Sequence, residues 1–490
     1  MTAGTPRAGA ALIVRRRDGS VLTGIRTALA RSWPGTVAFP GGAVDDDDHE
    51  IPLFSQTRGP EGIRRAGALR EALEEAGVVR LCNAAGGAID VDSIDGIVAA
   101  LRSGRPLKLA LRDARAVLDD RSLVGLGSWV TAEGTFEVTR FLLSTDDVTL
   151  VPPLVEELTD TAFRSPRALV SGWKSGSVFL LPPIRLVLHR LANHEGDDDD
   201  DGLIRSLSLP PTEPERKRRD LIEGVVVVDT RTPTLAPATH TNCVVLGTGD
   251  VLLVDPATPY EDERERFDGV LQTILEGRRV RGVFLTHHHH DHVGDAARLA
   301  RKHRVPVYCH EETARRVHLG ADVDVVTVGD GDEFELGARV FRCVFTPGHA
   351  PGHLCLFDVD ARMLIAGDMI AAIGSILIDP PEGHMATYLR SLDRLVALAP
   401  RALIPAHGPL LVDATKRLAD QKQHRLKREA SVRAAIEAGA TDVDAVVSAV
   451  YGDTPPEMLV FAARSVAAIV EKLQEDKAVV DVEGRWRPAA

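Results

Sequence analysis

The chain has 490 residues, 44% hydrophobic, with a formal net charge of -13. That length suits about three domains of roughly 150 residues with ordinary packed cores, and the charge disfavours wholesale coating of nucleic acid while leaving room for a local basic surface. No run approaches the roughly 18 apolar residues of a membrane span, and the N-terminal MTAGTPRAGAALIVRRRDGS carries charges where a signal peptide needs its apolar stretch. The expectation is a cytoplasmic protein with no membrane partner. The five cysteines, at 82, 243, 309, 343 and 355, are odd in number and include no CxxC pair, which argues against a disulfide framework or a thiolate zinc knuckle and for reduced, buried, small apolar residues.

In chain order, the first informative stretch is FPGG, ending at Gly42, followed by ALREALEEAGVV from Ala68 to Val79. The apolar spacing predicts a helix that stops at Gly77. It places Glu71, Glu74 and Glu75 at i, i+3 and i+4, on one face, just after Arg70. Three carboxylates on one face repel unless a cation neutralises them, and hard oxygen donors suit Mg2+ or Mn2+ bound with a substrate's phosphates.

The pattern resembles the box of the Nudix hydrolases, and the resemblance implies an α/β/α sandwich with Glu71, Glu74 and Glu75 as catalytic metal ligands. Gly42, Arg70 and Gly77 take structural or orienting roles. This copy departs from the usual spacing: Gly42 stands 28 residues before Arg70, twice the common interval, and the usual upstream glutamate position falls on Gly62, next to Glu61. The inserted DDDDHEIPLFSQTRGPEG is expected to loop out. With SWVTAEG, TRFLL, SPRAL and LLPP downstream, residues 8 to 192 resemble the coenzyme A diphosphatase-type branch with interrupted boxes. A small nucleotide or CoA-type substrate is implied, cleaved at its diphosphate. A domain that binds such a ligand as a non-catalytic sensor is the other reading.

The acidic run Asp197–Asp201 and the Pro-rich, charged LPPTEPERKRRD cannot bury apolar area and are expected to be exposed. They put the first domain at residues 1–205 and a linker at 206–219.

Next comes LTHHHHDHVGD, Leu285 to Asp295, directly after the buried-strand pattern VFLT. His287 and His289 alternate, Asp291 and His292 follow, and His288 and His290 are left as spacers. Three more strand-like runs each end in a metal-binding side chain: FRCVF before His349, LIAGD at Asp368 and LIPAHG at His407. Zinc takes nitrogen and oxygen donors of this kind. The order resembles the metallo-β-lactamase superfamily over about residues 220–415, which implies an αββα sandwich. By that resemblance His287, His289 and His349 hold one Zn2+, Asp291, His292 and His407 hold a second, Asp368 bridges them, and Asp291 doubles as a catalytic group. His353 is expected to hydrogen-bond near the site rather than ligate.

After about residue 415 the pattern changes to long charged helical sequence, giving a last domain at 416–490. Thr441 and Asp444 are read as a capping pair, TPPE at 454–457 as a second helix start before MLVFAARSVAAIVEKLQED, and KAVVDVEGRWRP as two short strands about a turn at Gly484. Helices followed by a β-ribbon resemble a winged helix, and with QHRLKRE at 423–429 the tail resembles that of the lactamase-β-like endoribonucleases. The resemblance implies single-stranded RNA as the partner, with phosphate contacts at Arg425, Lys427 and Arg428. A tail that covers the hydrolase or makes a homo-oligomer contact is the structural alternative. The expectation for the whole chain is a multidomain α/β and α+β protein acting as a bifunctional metal-dependent hydrolase, of a phosphodiester at the zinc site and a diphosphate at the other. An acyl-CoA or glutathione-type thioester is the alternative at the zinc site.

Overall fold

The computed structural model describes residues 6–27, 33–131, 136–194, 200–210, 219–372 and 374–489. The chain divides into two compact units between Ile222 and Glu223. Residues 197–199 of the acidic run and 211–218 of the expected linker lie outside the described residues. Asp200 and Asp201 open a helix, Asp200–Ser208, that buries Leu203 and Leu207. No helix among the described residues is long and apolar enough to cross a membrane. All five cysteines are buried.

The N-terminal unit is built on one sheet in the order Phe179–Leu180, Thr36–Ala38, Val21–Arg26, Arg7–Arg15, Phe136–Ser144, Leu123–Val130. Because side chains alternate along a strand, Leu12 and Val14 pack with the helix Gly59–Ala76 on one face, and Ile13 packs with Trp173 and Leu188 of two other helices on the opposite face. The long helix ends where Gly77 takes a left-handed conformation (φ 66°) and returns its N–H to Leu73 O. The insertion before it does not loop out. Asp46–Glu50 forms a short 3-10 turn, Asp48 is 1% exposed, Ile51 and Leu53 join the core, and Gly59–Gly62 form the first turn of the helix itself. The reason is electrostatic as much as apolar: Asp48 receives Arg70 Nε at 2.7 Å and Nη2 at 3.1 Å, so a buried guanidinium pulls the acidic turn inward.

The second unit stacks two sheets. One runs Val225–Arg231, His240–Leu246, Val251–Val254, Val280–Phe284, Val307–Cys309, Val325–Thr327, and the other runs from Glu333–Leu336 through Arg339–Phe345, Leu354–Asp358, Met363–Gly367 and Ala402–Pro405 to Leu411–Val412. Helices Glu261–Leu275 and Ala296–His303 cover the first sheet, and Met385–Ala397 covers the second. Central strands such as VLLV and MLIAG are buried on both faces, which is why they read as continuous apolar runs. The sheets are tied together at one end, where Asn242 N–H reaches Ala406 O at 2.8 Å and Leu354 N–H reaches Thr286 O at 2.9 Å.

Helices Ala414–Glu437, Val443–Val450 and Leu459–Glu475 and the hairpin Val479–Val482/Arg485–Pro488 complete the unit. Leu418, Val432, Ile436, Val466, Ile469 and Leu473 share one core with Leu364, Tyr388 and Leu403. The change of pattern near residue 415 therefore lies inside one compact unit. The helix at 443 is capped by Asp442, which accepts from Ala445 N–H at 2.9 Å, not by Thr441 and Asp444. TPPE does not cap the long helix directly, since the 3-10 turn Pro456–Met458 precedes it. The hairpin turn has positive φ at both Glu483 and Gly484, the geometry that matches the twist of paired strands.

Candidate metal centre

The histidine tract folds as its spacing requires. His287 follows the strand Val280–Phe284, His289 stands at the N-terminus of the short helix His290–Val293, and Asp291 and His292 lie within it. His349, Asp368 and His407 come from the ends of three strands of the second sheet. Two groups, His287, His289 and His349, and Asp291, His292 and His407, each bring ligand atoms within 4.8 Å of one another, and His287, His292 and Asp368 form a further such group that joins them. In the first, His289 Nδ1 lies 3.0 Å from both His287 Nε2 and His349 Nε2. Asp368 stands between the groups, with Oδ2 3.4 Å from His349 Nε2 and Oδ1 3.6 and 3.5 Å from His292 and His407 Nε2.

The far side of each ring is tied down. His287 Nδ1 meets Thr286 Oγ1 at 3.0 Å, His349 Nδ1 donates to Leu377 O at 2.8 Å, and His407 Nδ1 donates to His240 O at 2.9 Å. His292 Nδ1 donates to Asp255 at 2.8 Å, and Asp255 also holds the Thr286 N–H and hydroxyl. Such contacts leave the other ring nitrogen facing the centre. Burial lowers His287 well below the usual imidazole range and His349 to about 4, so both rings are neutral with a lone pair to give. Burial opposes charge on His292 too, but Asp368 and Asp255 outweigh it and hold that ring's proton more tightly.

The donors fit a pair of divalent cations. His292 Nε2 and Asp368 Oδ1 are buried without a hydrogen-bond partner, an arrangement costly unless a cation satisfies it. His353, fully buried, accepts the Asp368 N–H at 3.1 Å and meets Thr346 Oγ1 at 2.8 Å, so it braces the bridging residue's backbone. Gly367 permits this, because a Cβ there would lie 2.6 Å from His353 Nε2. His290 is exposed, on Pro233 O, whereas His288 is no mere spacer and pairs with Glu382. Asp255 and Glu382 were not singled out in the sequence. The signal for Asp255 was present in VLLVDP, a further carboxylate at a strand end.

In the N-terminal unit Arg70 Nη1 binds Glu71 and Glu74, each at 3.0 Å, and Gly41 N–H donates to Glu75 Oε2 at 2.8 Å. Gly42 lies so close that a Cβ would be 2.6 Å from Glu71 Oε1. The three glutamates share a face but, unlike the histidine groups, do not converge within 4.8 Å as a set. Burial raises Glu71 to about 7 and Glu75 to about 8, and raises Glu74 as well. Because folded-state protons are held more tightly than in the unfolded chain, this stability is full below about pH 4.3 and is lost as pH rises through about 7 to 8. In chelator, the melting temperature of this unit, followed by the fluorescence of Trp33, Trp129 and Trp173, is expected to fall between pH 5 and 8. Glu71→Gln/Glu75→Gln should flatten the slope. A flat or rising profile in the parent chain would contradict the assignment.

Of the three basic tail residues, only Lys427 is exposed. Arg425 is 5% exposed, donates to Ile376 O and stacks on Tyr388, and Arg428 donates to Val450 O at 3.1 Å and stacks on Tyr451. Of the expected phosphate-binding trio, Arg425 is corrected to an interior residue, because its guanidinium is buried against Ile376 O and Tyr388, while Arg428 is half-buried and Lys427 exposed.

Residues 236–407 match the model of the metallo-beta-lactamase superfamily, and residues 443–486 match the beta-lactamase associated winged helix domain. The chain carries a metallo-β-lactamase domain with its associated winged helix. The chain is 28% identical over 255 residues to the lactamase-like protein adaB of Aspergillus niger, covering 49% of this chain and 76% of that one. It is 25% identical to the atrochrysone carboxyl ACP thioesterase of Aspergillus fumigatus, over 49% of this chain and 77% of that one. A NUDIX hydrolase structure from Alicyclobacillus acidocaldarius is 25% identical with a TM-score of 0.34, covering 40% of this chain and 95% of that one.

Proposed function

We propose that residues 223–490 form a dinuclear zinc hydrolase of an acyl thioester whose thiol is of the coenzyme A or carrier-protein type. The observation that carries the hydrolase reading is Asp368, set with one oxygen toward each histidine group. When bound, two divalent cations supply a shared water whose pKa falls from about 15.7 towards 7, and polarise the carbonyl. The chain's own part is to hold the imidazoles at fixed angles, those of His287 and His349 neutral, and to keep Asp291 and Asp368 ionised. Burial opposes charge on Asp291, but His292 outweighs it, with help from Thr234 and His407, so Asp291 stays an acceptor for ligation and for a proton.

The thioester is favoured over single-stranded RNA because Arg425 is buried, Arg428 is half-buried with Nη1 on Val450 O, and the chain is acidic. A relative named as an ACP thioesterase supports the same reading. For the N-terminal unit we read a Nudix-type diphosphatase of CoA-like compounds using Mg2+ or Mn2+, supported by Gly42 against Glu71 and by the buried glutamates. Arg70, which occupies Glu71 and Glu74, favours the second reading, a ligand sensor that binds without turnover.

The test gives the zinc-loaded full chain acyl-CoA thioesters and, separately, single-stranded RNA. Released thiol can be read directly, since the protein's five cysteines are buried. Zinc-dependent thiol release, unchanged in Lys427→Ala, is the expected result. RNA cleavage without thiol release, weakened by Lys427→Ala and by salt, would return the assignment to a phosphodiester.

A further inference from the structure

Beside the first histidine group a further set of side chains closes: ligand atoms of His288, His289 and Glu382 lie within 4.8 Å of one another. Glu382 Oε1 pairs with His288 Nε2, and Oε2 lies 3.4 Å from His289 Nε2. His289 Nδ1 is the atom that faces His287 and His349. Its two nitrogens therefore point to different tasks, one into the centre and one to a carboxylate. Arg316 Nε, 3.8 Å from Glu382 Oε1, opposes a cation at this spot and fits a carboxylate that stays charged.

The segment that carries Glu382 is gripped from the other side by the C-terminal helices. Ile376 O accepts from Arg425, Asp379 Oδ2 pairs with Arg464 Nη1 at 3.0 Å, and His384 Nε2 meets Glu475 Oε1 at 2.8 Å. Toward the centre, Leu377 O takes the N–H of His349. Residues 376–384 thus touch two ligands of the first group on one side and helices Ala414–Glu437 and Leu459–Glu475 on the other.

We propose that Glu382 is a positioning residue for His289, and that the C-terminal helices hold it in place through Asp379 and His384, so that the winged-helix tail sets the affinity of the first metal position. A carboxylate accepting from His289 Nε2–H fixes the tautomer with the lone pair on Nδ1 and raises its basicity. His288, on the other carboxylate oxygen, keeps Glu382 from rotating away. The inference rests on the dinuclear reading above.

The experiment measures the two zinc dissociation constants of the full chain by competition with a chromogenic chelator, and the absorption spectrum of the cobalt(II)-substituted protein. Glu382→Gln is expected to weaken one equivalent about 10- to 100-fold, leave the other unchanged and shift the cobalt bands, with partial recovery in Glu382→Asp. Arg464→Ala/Glu475→Ala should reproduce the same selective weakening while its melting curve stays that of the parent, and Lys416→Ala, on an exposed face, should change nothing. If the double variant loses helical signal, Asp379→Asn removes the ion pair from the loop side instead. Equal weakening of both equivalents, no weakening, or a fall from three bound metals to two would overturn the proposal. A parent chain that binds no zinc would instead remove the dinuclear reading beneath it.

Discussion

Replacing Asp368 with alanine is expected to lower hydrolysis at the metallo-β-lactamase centre on the order of a thousandfold, the equivalent of several kcal/mol of lost charge stabilisation. Both histidine groups share this carboxylate, with its oxygens 3.4 to 3.6 Å from His349, His292 and His407. Its removal takes a donor from each group at once, so bound zinc should fall below two per chain in elemental analysis. His290→Ala is the matched control, because that ring is exposed and bonds only to Pro233 O. Parent-like activity in Asp368→Ala, or an equal loss in His290→Ala, would show that the tract has been assigned in the wrong register.

Asp255→Ala is expected to damage both the fold and the centre. Its carboxylate satisfies the Thr286 N–H at 2.8 Å, the Thr286 hydroxyl at 2.6 Å and His292 Nδ1 at 2.8 Å, all in the buried interior. Leaving these donors unpaired costs about 3 to 5 kcal/mol, and the freed His292 ring should weaken zinc about 10- to 100-fold. Asp255→Asn separates the two effects. Its amide can still accept from Thr286 but carries no charge to hold His292, so thermal melting should recover more than metal affinity. Identical recovery of both would mean that Asp255 serves the fold alone.

Four of the seven candidate ligands were legible in the sequence because each follows a short apolar strand, and a strand end is a rigid mount that leaves a periodic signature. His287, His349, Asp368 and His407 are all placed that way. Glu382 left no such trace. It sits in an irregular segment whose path is set by His349, Arg464 and Glu475, partners up to 91 residues away. The same limit explains the tail. Its helices and hairpin were legible from spacing and turn residues, while the inward turn of Arg425 depends on Tyr388 and Ile376, which no local pattern connects to it. In the N-terminal unit the helix and its Gly77 stop were plain, yet the acidic insertion reads as a solvated loop until Arg70 is seen to need Asp48. Charge-rich stretches mislead when one buried partner of opposite sign waits elsewhere in the chain.

The core shared by the second sheet and the last three helices makes this hydrolase hard to dissect or recombine. Leu418, Val432, Val466 and Leu473 are to Leu364 and Leu403 what one half of a zip is to the other. A gene cut after Val412 would encode a product with a bare, sticky flank, and a tail borrowed from a distant relative would arrive with side chains cut to a different mould. Domain shuffling at this junction is thereby discouraged, and the two parts are expected to drift through evolution as a pair, each substitution on one side of the seam selecting for its counterpart on the other.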